Sequence, residues 1–401
     1  MLLRRKNVYN WNANGHYFRG LTMDYIKKPV FLYSRELEEY SYPPESLFST
    51  QRAGKTRELL MSLGLLGDGC GTETVPVPAT KVDLERFHSV KYLDALQQAA
   101  DGKLTQQGRN MGFGTPDCPV FKDMFNYARW ACGATLTGAN LILSGETDIV
   151  FNPSGGFHHA GAEKASGFCY INDLALACMR FSDSGKKVVY LDIDAHHGDG
   201  VQEAFYATDA VLVISLHESG KTLWPWGGFE DEIGAGAGKG FNVNVPLPLG
   251  ICDDAYLKVF NETVIPLITA YVPDIIALQL GMDALAGDAL AHLELTNNAH
   301  AEIIDRLLRF NTPILATGGG GYHVDNTVRG WALAWKVMCG QEDEDDFTLG
   351  MGGVMLQSTE WSGGLRDRIL PADEPHCESV ESEIRQTMDY LTGNVFKYHG
   401  I

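Results

Sequence analysis

Residues 192–200 read DIDAHHGDG, which gathers three carboxylates and two imidazoles into one short string. In an extended segment, residues two apart share a face, so Asp194 and His196 point the same way. A carboxylate and an imidazole that converge can bind a divalent cation once a third donor arrives from elsewhere. Asp283, directly after the apolar run IIALQLGM, is the best-placed donor. Two carboxylates and one imidazole suit zinc, and also iron or manganese. Three protein ligands leave positions open for water and substrate, whereas a structural zinc usually takes four, Cys among them.

Two further groups could act beside such a cation. His158 and His159 follow Gly155-Gly156, and adjacent histidines inside a fold are costly unless both are hydrogen-bonded. Asp192 and Asp199 are spare carboxylates that could orient them, giving a general base and a general acid with different proton affinities. Gly318-Gly319-Gly320-Gly321 must bend tightly or pass close to something. No Gly-Lys-Ser/Thr follows, so this is not a phosphate-binding P-loop. Tyr322 at its end could donate a hydrogen bond to a developing oxyanion.

The elements that must position these groups are short apolar runs: 148–152, 187–194, 210–217, 273–279 and 312–317. They are rich in Val and Ile and lack polar alternation, the pattern of strands buried on both faces of a mostly parallel sheet flanked by helices. Four of the five end in a polar or glycine cluster, and in an open α/β sheet ligands bind beyond the carboxyl ends of the strands. Helices are expected over 52–66, ending at Gly67, and over 121–143. The QEDEDDF stretch after residue 340 reads as a solvated acidic loop, and the polar tail after Asp373 ends in a helix.

Composition bounds the rest. The 401 residues read as one α/β domain, residues 31–401, preceded by a basic, aromatic arm, residues 1–30, expected to pack on its own domain, with an oligomer or membrane-surface contact as the functional alternatives. A net charge of −19 repels phosphate backbones and argues against direct nucleic-acid binding. The eight cysteines include no CxxC pair, which suits buried thiols in a reducing cytoplasm. The N-terminus lacks the apolar core of a secretory signal, and no run is long enough to span a membrane.

At these residues the sequence resembles the zinc-dependent histone deacetylase family, its bacterial acetoin-utilization and acetylpolyamine amidohydrolase branch included. The strings GGFHHA, GFCYIND, DIDAHHGDGVQEAF, ISLHESG, NVNVPLP, LQLGMDALAGD and GGGGY occur in the family's order between about residues 30 and 340. The resemblance implies an arginase/deacetylase-like fold and hydrolysis of an N-acetylated amine, acetyl-lysine in a protein or peptide first, to acetate and free amine. It implies Asp194, His196 and Asp283 as metal ligands and His159, paired with Asp199, as the base. It implies His158, paired with Asp192, as the group that helps protonate the leaving amine, and Tyr322 as the carbonyl-polarising phenol. It further implies Gly167, Phe168, Trp224 and Leu290 along a narrow acyl-lysine tunnel, Asp117 as a rim carboxylate and Arg52 near the tunnel floor. A potassium ion is implied near Asp192, Asp194, His196 and Ser215.

The chain departs from the family in two places. Ser46-Leu47 and Thr50 stand where His-Pro and a further proline are usual, and Trp224 stands where phenylalanine is commoner. Both bear on substrate choice, which extends to acetylpolyamines and other small acyl-amines. An arginase-type ureohydrolase shares the sheet plan but needs two metals. Here the acid after Asp283 is Asp288, with no matching proline. A catalytically degenerate module that only binds an acylated ligand is the remaining rival, and the complete set of histidines, ligands and tyrosine argues against it.

Overall fold

The computed structural model describes residues 2–11, 17–67, 70–341, 364–368 and 374–401. Its central sheet has eight strands: β3 (Val30–Leu32), β4 (Thr72–Thr74), β5 (Ile149–Asn152), β6 (Val188–Asp192), β7 (Val211–Glu218), β8 (Asn242–Leu247), β9 (Ile275–Gln279) and β10 (Ile314–Thr317). Their order is β4-β3-β5-β10-β9-β6-β7-β8, and every pairing is parallel. Helices cover both faces. Along β6, Val189 and Leu191 join one apolar layer with Ile304, Leu307, Trp331 and Trp335, while Val188 and Tyr190 join the other with Ala139, Leu174, Phe181 and Val201. This is the parallel α/β plan expected from the runs of Val and Ile.

Chain order matters for the site. From β5 the chain skips two positions to β6, and β9 and β10 later fill that gap. The four strands that end in polar clusters therefore lie side by side at the centre. Register sets Asn152 beside Thr317, Thr317 beside Gln279, and Gln279 beside Asp192, so all four end at one level. A separate aromatic cluster, with Tyr42, Tyr92, Phe113, Tyr127, Phe157 and Tyr170, packs under the loops of this edge. Buried Tyr42 and Tyr92 each use their hydroxyl on a loop carbonyl, that of Phe168 (2.8 Å) and that of Tyr170 (2.7 Å).

Some boundaries differ from expectation. The first long helix is Arg52–Ser62, short of Gly67, because Gly64 takes φ +65° and Leu65 N–H returns to Leu60 O, a left-handed C-terminal cap. The next helix expected is Met124–Leu143. Strands β3, β4 and β8 lie outside the five apolar runs. β8 reads NVNVPL, alternating and carrying Pro246, which an edge strand tolerates. Residues Leu2–Trp11 (β1) and Tyr17–Ile26 (β2) pair antiparallel in a sheet of their own. Val30 already belongs to the central sheet. A helix spans Glu374–Asn394 near the C-terminus. The acidic stretch 342–347 lies outside the described residues. Among the described residues no helix is long and apolar enough to cross a membrane.

Candidate metal centre and acid–base site

Asp194 and His196 leave the end of β6, and Asp283 follows β9. One ligand atom of each lies within 4.8 Å of the other two, and all three residues are buried. Among the described residues this is the one group of three or more His, Cys, Asp or Glu side chains that converges in this way. His196 Nδ1 stands 2.8 Å from Asp283 Oδ2 and 3.3 Å from Asp194 Oδ1. The other oxygens are taken: Asp283 Oδ1 accepts Ala195 N–H (2.9 Å), and Asp194 Oδ2 accepts Gln279 Nε2–H (3.0 Å) and Gly320 N–H (2.8 Å).

The electrostatics of this trio fit a divalent cation. Burial and the charge of Asp194 push the Asp283 carboxyl up to about 7. Burial opposes the charged imidazole of His196, yet the two carboxylates outweigh it and raise it to about 10. Two buried carboxylates thus face each other, and without an ion the positive charge nearest them comes from protons on His196 and His158. A divalent ion at the same point supplies that charge without the His196 proton.

The glycine loop after β10 explains itself here. A Cβ on Gly320 would lie 1.9 Å from Asp283 Oδ2, and one on Gly281 would lie 2.0 Å from Asp194 Oδ2. The close approach anticipated for the four-glycine run is to the two carboxylates. Arg52, buried between the rings of Phe48 (4.6 Å) and Trp331 (5.0 Å), donates from Nη1 to Gly321 O (2.8 Å) and so holds the same loop. Tyr322 follows, its N–H bonded to Asp288 Oδ2 (2.7 Å). Burial, then the charges of Asp283 and Asp194, raise its phenol well above the ordinary value, so the hydroxyl keeps its proton.

The histidine pair sits on the loop after β5, with ring centroids 4.0 Å apart. His158 Nδ1 lies 2.8 Å from Asp192 Oδ2, and His159 Nδ1 lies 2.7 Å from Asp199 Oδ1. Their proton affinities diverge. Burial disfavours the charged form of both. For His158, Asp192 and Asp194 overcome it and raise the imidazole to about 9. For His159, the neighbouring His158 adds to burial and lowers it to about 4. A cation bound to Asp194 would offset that carboxylate's pull and leave Asp192 as the main support of His158.

A narrow pocket opens over these groups, walled by Phe48, Phe157, His158, His159, Gly167, Phe168, Asp194, Gly320 and Tyr322 among others. The sequence singled out other residues that stand around it. The ring of Trp224 packs on His159 at 4.6 Å, edge to face. Asp117 accepts the N–H of Gly167 (2.8 Å). Leu290 is half-buried on the loop after Asp283, its N–H bonded to Asp288 Oδ1 (2.9 Å), and is not part of the pocket wall. Ser215 pairs with Asp192 in register, and its Oγ lies 2.8 Å from His217 Nδ1.

Several supporting residues had no assigned role. Asp173 receives the N–H groups of Gly156 and Phe157, and Asn172 Nδ2 donates to His158 O and Ala160 O, so the two clamp the histidine loop. Tyr190 donates its hydroxyl to Asp192, and Gln279 to Asp194. Asn172 and Asp173 lie inside the GFCYIND string, but a buried carboxylate binding backbone N–H groups has no spacing signature. Phe48, on the far side of the departing Ser46-Leu47, stacks on Phe168 at 5.7 Å.

A parallel α/β sheet with a cation-ready Asp–His–Asp group at its carboxyl edge is a plan that metallohydrolases use. The histone deacetylase domain model matches residues 46–338, and the chain belongs to that family. It is 38% identical over 321 residues to "Histone deacetylase 3" of Oryza sativa subsp. japonica, a match covering 79% of this chain and 62% of the rice protein. It is 38% identical over 308 residues to "Histone deacetylase B" of Dictyostelium discoideum, covering 77% of this chain and 72% of that one. The match thus spans less than two thirds of the rice protein's length. Among solved structures, an HDAC homologue from Aquifex aeolicus superposes with a TM-score of 0.81 at 31% identity, covering 90% of this chain and 99% of that one. An HDAC homologue complexed with SAHA gives 0.79 at 30% identity, with 91% and 99% covered.

Proposed function

We propose that this protein hydrolyses the amide of an acetylated lysine in a peptide or protein, releasing acetate and the free amine. The observation that carries the reading is the convergence of Asp194, His196 and Asp283 at a pocket walled by Tyr322 and by two histidines, each paired behind with an aspartate. Family membership, and the neighbour complexed with SAHA, support it.

Asp194, His196 and Asp283 would hold the metal, which we take to be zinc, with iron as the other fitting ion. When bound, a divalent ion supplies Lewis-acid polarisation of the amide carbonyl and a more acidic attacking water. His159, neutral and oriented by Asp199, accepts that water's proton through its free ring nitrogen. Tyr322 donates its hydroxyl hydrogen to the oxygen that gains charge as the carbonyl carbon turns tetrahedral. The C–N bond then breaks as the leaving nitrogen takes a proton from the His158–His159 pair, where His158 is the more basic member beside Asp192. Phe168 and Trp224 line the approach and exclude water, which strengthens each electrostatic contact. Asp117, which already fixes Gly167, is taken as the rim carboxylate that would hold the substrate backbone, and Leu290 as a tunnel residue outside the pocket wall. Arg52 positions the tyrosine loop from below. A structural potassium near Asp192, Asp194, His196 and Ser215 is part of the same reading. So are a catalytic unit of residues 31–401 and a cytoplasmic setting, which suits the buried thiols of Cys118, Cys132, Cys169 and Cys178.

The test is acetate release from an acetyl-lysine peptide by purified protein, before chelation, after it, and after zinc is returned. Turnover should vanish and then recover. Turnover indifferent to chelation would refute the metal site. Turnover confined to acetylated polyamines would move the substrate to the small acyl-amines.

A further inference from the structure

The loop that follows β7 places an aromatic ring at the surface in an unusual backbone state. Trp226 is 62% exposed and has φ +63°, in the left-handed region that large side chains avoid. Such a conformation persists only where the surroundings enforce it. Here they do. On one side Trp224 packs against His159, and a Cβ on Gly167 would meet its ring at 2.8 Å. On the other, Gly228 O lies 2.8 Å from His217 Nε2, while the N–H groups of Gly228 and Phe229 both bind Glu232 Oε1. Trp226 is thus fixed between two anchored points, two residues from a ring that stands beside the pocket. A side chain of that area held out in water contributes nothing to the core.

The chemistry around it points to an occupant. The same loop continues into Glu230 and Asp231, Asp117 stands behind Gly167, and the whole chain carries a net charge of −19. An exposed indole face attracts cations, and Trp is the strongest aromatic partner for them. Resting on the deacylase reading of the pocket, we propose that Trp226 is a specificity-determining residue. It receives a cationic group of the substrate, a lysine, arginine or alkylammonium side chain neighbouring the acetylated one, outside the pocket.

Trp226→Gly is the direct test, because glycine adopts a positive φ freely and the variant should fold at least as well as the parent. Three substrates are compared on the full-length zinc-loaded protein: a capped acetyl-lysine amide, an acetyl-lysine peptide flanked by arginines, and the same peptide with glutamines in their place. The wild type should show a lower KM for the arginine peptide than for the glutamine one. In Trp226→Gly that advantage should shrink roughly 2–5-fold, as for an exposed cation–π contact, with kcat and the capped amide unchanged. Trp226→Phe should keep part of it, which separates a ring contact from a loop effect. An arginine-to-glutamine KM ratio equal in wild type and Trp226→Gly overturns the proposal. So does a change in sedimentation on substitution, which would assign the ring to a contact between chains. A wild type inactive on all three substrates refutes the deacylase reading itself.

Discussion

Gly320→Ala tests whether the glycine loop is glycine for the sake of the carboxylates proposed to hold the metal. The backbone of Gly320, unlike Gly319 (φ +150°) and Gly321 (φ +124°), is not in the left-handed region, so alanine meets no positive-φ penalty there. The conflict is steric alone. The new methyl would sit 1.9 Å from Asp283 Oδ2, against about 3.3–3.6 Å for a normal carbon–oxygen contact, so something must withdraw by roughly 1.4–1.7 Å. If Asp283 yields, it leaves both His196 Nδ1 and its bond from Ala195 N–H. If the loop yields, Gly320 N–H leaves Asp194, and Tyr322 moves with it. Either shift far exceeds the ~0.2 Å tolerance of a metal–ligand bond. Zinc affinity should fall at least 10–100-fold, the range seen when the support of a ligand is lost, and kcat/KM by about 10²-fold or more. The chelated protein should lose only about 1–3 kcal/mol, the usual overpacking cost. The assay is zinc titration against a competing chelator, with thermal melts of the metal-free and loaded forms. Gly393→Ala, where a methyl meets nothing within 4 Å, is the control and should leave both unchanged or slightly improved. Full zinc at wild-type affinity in Gly320→Ala would falsify the steric argument and the ligand assignment to Asp283 together.

Tyr322→Phe should retain stoichiometric zinc and lower kcat by about 10²–10³-fold, as for loss of one oxyanion donor; an unchanged kcat removes that role. Asp288→Asn replaces an acceptor of two backbone N–H groups, those of Tyr322 and Leu290, with a side chain that presents a donor to one of them. We expect kcat to drop about tenfold at one zinc per chain, and a second metal in the parent, lost in the variant, would restore a two-metal centre. Buried His88 accepts Asn172 N–H through Nε2 (3.0 Å), and burial lowers its imidazole to about 4. It is therefore neutral in the fold while the unfolded chain titrates near 6.5, so its contribution is present above pH 6.5 and is lost as pH falls toward 4. Urea unfolding between pH 7.5 and 4.5 should show stability declining, with His88→Gln flattening the slope by up to about 1.4 kcal/mol per pH unit; an equal slope in both refutes it.

The sheet could be read from the sequence because its strands are buried on both faces and therefore carry uninterrupted Val and Ile. The same reasoning missed β8, whose polar alternation and Pro246 belong to an edge, and β3 and β4, three residues each, which hold too few side chains to show a period. The helix beginning at Arg52 ends before its apolar spacing does, because Leu65 and Leu66 continue that spacing. They are buried after the turn at Gly64 rather than along the helix.

For the site, what could be read was what sits at strand ends. Parallel register brings Asn152, Thr317, Gln279 and Asp192 to one line. Any polar cluster that follows one of these strands must then meet the clusters that follow its neighbours, even though Asp194 and Asp283 are far apart in the chain. What could not be read was support reached across the fold through one side chain. Asp173 serves the histidine loop through backbone N–H groups, and Arg52 reaches a carbonyl 269 positions away. Backbone partners are the same for every residue type, so such contacts leave no trace in spacing. The glycines are the exception that argues the point. Gly281 and Gly320 do record a long-range contact in the sequence, because the approach of a carboxylate to backbone excludes a Cβ outright. Besides buried strands and strand-end clusters, a tertiary constraint is written into a single sequence where it forbids a side chain, as it does at Gly281 and Gly320.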